Sequence, residues 1–248
     1  MFTLDETVCN VCDLGVKKVQ KPLLARLLLG FVGGAYVAFG YMAYILIVAQ
    51  MPGFLGKFIG ASVFPIGLVM ILFAGGELIT GNMMVVATCY FNHKVRFRDM
   101  VKNWLVITCG NILGAISIAL VFGVYVGTLT PYIETVKELA AGKVHYSPLQ
   151  TLVSGIACNW FVGIAVWLSQ SLKDGSSKLI GVWFPVMVFV LLGFQHSVAN
   201  VFLLTLGNYY GAVGISEFVI NFIFSYIGNI IGGAVFVGLL YTLSNKHD

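Results

Sequence analysis

The sequence predicts an all-α membrane protein of six transmembrane helices, arranged as two inverted three-helix repeats with the second and fifth helices broken. Three observations lead there. The chain of 248 residues is 59% hydrophobic and only 10% charged, where a soluble domain averages about 25% charged; its mean hydropathy is +0.94. No Lys, Arg, Asp or Glu occurs in 27–56, 103–133, 144–172, 179–216 or 218–245, and each run exceeds the roughly 20 residues that a spanning helix needs. The second half of the chain also repeats the first. This composition excludes a soluble enzyme, a disordered chain and a nucleic-acid binder, and a net charge of +4 asks for no polyanionic partner.

Taken in order, the spans fall at about 27–49, 58–91, 103–130, 149–171, 180–206 and 213–243. Ahead of them, 7–21 reads as an amphipathic helix lying along the membrane surface and stopped by Pro22. No cleavable signal peptide is expected, because about 22 polar-rich residues precede a first apolar run too long for one. The whole of 1–248 is then one transmembrane domain, with a cytoplasmic segment 1–22 and repeats at about 23–130 and 149–243. Lys17, Lys18, Lys21, Arg26, Lys94, Arg96, Arg98, Lys102, Lys173, Lys178 and Lys246 fall on one side, against Lys57, Lys137 and Lys143 on the other. That imbalance puts both termini in the cytoplasm, and the short loops suggest a prokaryotic cell (inner) membrane.

A shift of 118 residues aligns the halves without gaps over 75–114. Gly75 meets Gly193, Asn82 meets Asn200, Asn103 meets Asn221, and Gly110-Asn111-Ile112 meets Gly228-Asn229-Ile230. Three spans per half is an odd number, so the second half runs upside down, the plan of transporters whose broken helices build a midplane site. The breaks read Gly75-Gly-Glu-Leu-Ile-Thr-Gly-Asn82 and Gly193-Phe-Gln-His-Ser-Val-Ala-Asn200. Backbone that leaves a helix at this depth must be satisfied internally, and Glu77, Thr80, Asn82, Gln195, Ser197 and Asn200 can supply the partners. Each restarted helix would also point free N–H groups inward, which favours an anion.

His196 is the one histidine inside an expected span; ionisable groups at this depth are costly and usually functional, and an imidazole can present or withhold a positive charge near neutral pH. Glu77 is expected to brace its break by accepting backbone N–H bonds, with the neutral Gln195 doing the same in the other half. Thr80 is expected to face His196 across the pore. Lys178, before the fifth span, is a candidate for concentrating anions in a vestibule. Phe64, Leu68 and Phe189 in the helices leading to the breaks are candidate hydrophobic constrictions. Cys9-Asn-Val-Cys12 reads as two free thiols rather than half of a metal site; no metal and no cofactor are expected. The Gly110-x3-Gly114 and Gly228-x3-Gly232 spacings read as close helix contacts.

These motifs together resemble the formate/nitrite transporter family of formate, nitrite and hydrosulfide channels. The resemblance runs from Lys21-Pro22-Leu23 through Gly33-Gly-Ala-Tyr36, Gly76-Glu-Leu-Ile-Thr-Gly-Asn82, Lys102-Asn-Trp-Leu105, Asn159-x7-Trp167 and Lys178 to Phe194-Gln-His-Ser-Val-Ala-Asn200. It implies an aquaporin-like protomer, five of which form a ring, each with its own pore for small monovalent anions of weak acids. It also implies His196 as the central histidine, Thr80 as the loop threonine, Lys178 as the vestibule lysine, Asn159 with Asn82 and Asn200 among the pore residues, and Phe64, Leu68 and Phe189 as constrictions. One departure is Gln195, where the family usually has Glu.

A bare anion crosses an apolar constriction at high cost, so protonation beside it, with His196 as donor or relay, would let the neutral acid pass. The rival is an aquaporin-like channel for small neutral solutes, but neither Asn82 nor Asn200 is followed by Pro. An intramembrane enzyme would need clustered acid, base or nucleophile groups at depth, which one His and one Glu do not provide.

Overall fold

The computed structural model describes residues 1–245; Lys246, counted above with the basic side, lies outside the described residues. Helix α1 (Leu4–Gln20) is followed by α2 (Leu23–Gln50), α3 (Phe54–Val63), α4 (Ile66–Met70, continued by a π-helical turn over Ile71–Gly75) and α5 (Ile79–Phe91). Next come α6 (Phe97–Ile118, extended to Tyr125), α7 (Ile133–Val144) and α8 (Pro148–Ser171). The last are α9 (Gly175–Leu191), α10 (Ser197–Tyr209), α11 (Ile215–Ile230, extended to Leu239) and α12 (Leu240–Asn245). Five stretches are long and apolar enough to cross a bilayer: Leu23–Gln50, Phe54–Gly75, Phe97–Tyr125, Pro148–Ser171 and Ile215–Asn245. The apolar helices Ile79–Phe91 and Gly175–Leu191 are shorter.

Helix stops at Gly75 and resumes at Ile79, then stops at Leu191 and resumes at Ser197. Gly75 has φ +103° and Gly193 φ +74°, a left-handed backbone that an L side chain adopts only with strain. Two glycine-lined helix pairs frame these interruptions. A Cβ on Gly114 would stand 2.0 Å from the Phe31 carbonyl oxygen, so α6 lies directly on α2; one on Gly232 would stand 2.2 Å from the Ile156 carbonyl oxygen, so the α11 rod lies equally close on α8. Side chains this small let backbones meet where lipid supplies no hydrophobic drive.

Two elements depart from expectation. Helix α1 starts at Leu4, earlier than residue 7, capped by Thr3 with Glu6 reaching back to it. It does not merely lie along a surface: Val8, Val11, Cys12 and Gly15 are buried, and a Cβ on Gly15 would collide with Cys89 Sγ of α5. Cys9 is exposed while Cys12 is buried, and both are free thiols. Helix α7 occupies the interval between the repeats, where no element was expected. Val136 and Ala140, one turn apart, are its buried stripe, the i, i+4 spacing of an amphipathic helix.

Candidate transport site

The two breaks are held by the same set of bonds. At the first, Asn111 Oδ1 accepts the Ile79 N–H (2.8 Å), and Asn111 Nδ2 donates to the carbonyls of Gly30 (2.7 Å) and Glu77 (2.8 Å). At the second, Asn229 Oδ1 accepts the Ser197 N–H (2.9 Å), and Asn229 Nδ2 donates to the carbonyls of Gly155 (2.9 Å) and Gln195 (3.0 Å). Asn82 Nδ2 reaches Glu77 Oε2 (2.9 Å) and Asn103 Oδ1 (3.0 Å), and Asn200 Nδ2 reaches Gln195 Oε1 (2.6 Å) and Asn221 Oδ1 (2.9 Å). One buried amide side chain thus serves three backbone groups at each break, which meets the demand that buried polar backbone be paired. Asn111 and Asn229 were visible as repeat identities but had not been given this role.

Charge separates the two sites. The Glu77 carboxylate takes the ammoniums of Lys18 and Lys21 from the end of α1 as well as the Asn82 amide. It therefore braces its break through side-chain cations rather than through the backbone N–H bonds expected of it. Gln195 has no such cations: its Nε2 donates to the Lys143 carbonyl (3.0 Å), and Ser154 Oγ accepts its backbone N–H (3.1 Å). The first N–H of each restarted helix goes to an asparagine, so that one group is not free toward a solute.

Between the breaks, His196 caps α10. Its Nδ1 accepts the Ala199 N–H at 3.1 Å. A nitrogen that accepts carries no proton, so this bond sets the neutral tautomer with hydrogen on Nε2. Nε2 lies 3.0 Å from Thr80 Oγ1 and donates to it, leaving the Thr80 hydroxyl proton available to a third group. A positively charged or relaying imidazole would have to give up the Ala199 cap. Asn159 Nδ2 donates to the carbonyls of Thr80 (3.1 Å) and Asn229 (2.6 Å), and its Oδ1 has no partner. Phe189 stacks on the His196 ring at 5.9 Å and 18°, and Phe64 meets Phe189 edge-on at 6.0 Å.

A cavity of about 360 Å³ ends on this cluster. Phe64, Phe189, His196 and Asn200 line it, together with Lys57, Glu138 and Lys143. Lys143 sits at the end of α7, where its ammonium donates to the carbonyls of Gly193 (2.9 Å) and Phe194 (3.2 Å) and pairs with no carboxylate among the described residues. Burial pulls this ammonium down to about 8.

The structure therefore gathers Thr80, His196, Phe64 and Phe189 as expected, and puts Asn82, Asn159, Glu77 and Gln195 to work as braces. Asn200 does both, bracing Gln195 and lining the cavity. Leu68 is buried in the neighbouring core and is not part of the cavity wall. Lys178 lies in the first turn of α9 and is not part of this cavity's wall, where the lysines are Lys57 and Lys143. Lys143 had been read only as a charge on the sparsely basic side. Nothing in the sequence around Lys143 marks it as part of a site.

Two half-length apolar helices ending on a histidine, beside a cation-bearing cavity in a multi-pass helical bundle, define a membrane channel or transporter. The formate/nitrite transporter family model matches residues 5–243, and the chain belongs to that family. It is 41% identical to the formate channel BtFdhC of Bacillus thuringiensis, over 93% of this chain and 91% of that one. Among solved structures it is similar to an FNT family ion channel, with a TM-score of 0.90 and 23% identity over 97% of this chain and 99% of that one. A second neighbour is a pentameric formate channel with formate bound, with a TM-score of 0.77 and 25% identity over 90% of this chain and 98% of that one. These relatives do not favour the neutral-solute alternative.

Proposed function

We propose that the protein is a channel for small monovalent anions of weak acids, with formate the first candidate and nitrite and hydrosulfide next, and that it is not an enzyme. Its relatives named formate channels support the substrate class. The arrangement in the membrane is six spans in two inverted triplets, the second built from α3, α4 and α5 and the fifth from α9 and α10, with both termini in the cytoplasm. Five copies form a ring, each with its own passage. The pentameric relative supports this.

The observation that carries the reading is one cavity wall that brings together the Lys143 ammonium, the Phe64–Phe189 pair and His196, whose Nε2 meets Thr80. The ammonium raises the local anion concentration. The aromatic pair cannot solvate a bare charge, so the anion takes a proton from the solvent that enters the cavity and crosses as the neutral acid. Beside the aromatic pair, His196 Nε2–H and the Thr80 hydroxyl then offer polar contacts to a neutral acid. His196 acts here as an oriented donor, because a relay would require Nδ1 to release the Ala199 N–H.

The test is flux of formate, nitrite, hydrosulfide and glycerol into proteoliposomes across pH, for the natural chain and for His196→Asn. The expected result is anion uptake that rises toward acid pH, little glycerol uptake, and a slower variant that keeps the acid-side rise. A variant whose uptake no longer varies with pH would establish His196 as the relay and overturn the donor role. Glycerol uptake exceeding that of the anions would overturn the channel class.

A further inference from the structure

The cavity holds two polar groups that the mechanism above leaves unused. Tyr41 and Tyr44 lie one turn apart on α2, and both line the cavity. They are 6% and 9% exposed. No hydrogen bond to either phenolic oxygen is made among the described residues, yet neither oxygen is among the buried atoms sealed off without a partner. Both hydroxyls therefore open on the cavity. Their rings are held firmly: Tyr41 meets Phe64 edge-on at 5.6 Å and Tyr44 at 5.7 Å, and the Tyr44 ring fills the space where a Cβ on Gly60 would stand 2.8 Å from it.

A buried tyrosine hydroxyl ordinarily finds a partner. Here the cavity also contains Lys143, whose ammonium has three donors and uses two on the Gly193 and Phe194 carbonyls. One ammonium donor and two phenol donors thus converge on one space. A planar anion with two oxygens can accept from several of them together, as a carboxylate does; a hydrosulfide presents one sulfur, a weak acceptor.

We propose that Tyr41 and Tyr44 are specificity-determining residues that make the cavity select two-oxygen anions, formate and nitrite, over hydrosulfide. This rests on the anion-channel reading above. Purified full-length protein in liposomes tests it, comparing the natural chain with Tyr41→Phe, Tyr44→Phe and the double variant for half-saturation by each of the three anions. The double variant is expected to need about tenfold more formate or nitrite, the scale of losing hydrogen bonds to a charged group, while hydrosulfide flux stays within about twofold and so reports an intact pore. Equal losses for all three anions, or no loss for any, would overturn the selection by tyrosine while leaving the channel standing. A natural chain that carries none of the three would overturn both.

Discussion

The first break, around Glu77, and the second, around Gln195, share one asparagine framework and differ in charge. At the first, a buried carboxylate takes two lysines from the terminal helix α1. At the second, a neutral amide takes the Lys143 backbone carbonyl, and the ammonium of that same lysine is left without an acid. The two sites therefore do different work with similar parts. Lys18 is committed to fastening α1 over the break, whereas Lys143 keeps its charge for the cavity beside His196.

The largest expected effect tests the charged site. Glu77→Ala leaves the mostly buried Lys18 ammonium without a counter-charge, and breaking a buried pair in this way costs about 3–5 kcal/mol. A falling midpoint of denaturant unfolding in detergent measures it. Gln195→Ala at the neutral site removes hydrogen bonds but strands no charge, so its cost is about 1–3 kcal/mol. Equal costs at both sites would erase the distinction. Gln195→Glu sharpens the comparison differently. A carboxylate cannot donate to the Lys143 carbonyl, and it brings a negative charge to a lysine that pairs with no acid among the described residues. Anion uptake by this variant is expected to fall about tenfold above the carboxyl's own titration, the lower end of electrostatic steering, and to recover on acidification. The smallest effect belongs to Lys178→Ala, a loop-end change of about 0.5 kcal/mol or less in stability, with uptake unchanged.

Much of this was legible in the residues. Charge-free runs cover most of four of the five stretches long enough to cross a bilayer, and the pairing of Gly75 with Gly193 located both interruptions, where the backbone is left-handed and an L side chain would be strained. Thr80 and His196 were legible as partners because a hydroxyl and an imidazole lie close after the two glycines, five residues beyond Gly75 and three beyond Gly193. What stayed hidden depends on contacts between distant parts of the chain. Lys18 and Lys21 lie 59 and 56 residues from Glu77, and nothing local marks them as more than topology signals. Lys143 was hidden for the same reason, since α7 must first fold back before its last turn meets Gly193 and Phe194. The histidine tautomer was not legible either, because it is set by the N–H of Ala199, a backbone group that every sequence supplies.

The central claim is that the Lys143 ammonium recruits the anion. It is most directly tested by initial rates of formate uptake against pH for the natural chain, Lys143→Arg and Lys178→Ala. Lys143 is charged below about 8 and loses its charge as pH rises through that value, while an arginine stays charged throughout. The account predicts that uptake by the natural chain and by Lys178→Ala falls away together above that point, and that the arginine variant shows only the smaller fall set by protonation of the anion itself. Identical curves for the natural chain and the arginine variant, or a loss confined to Lys178→Ala, would contradict it.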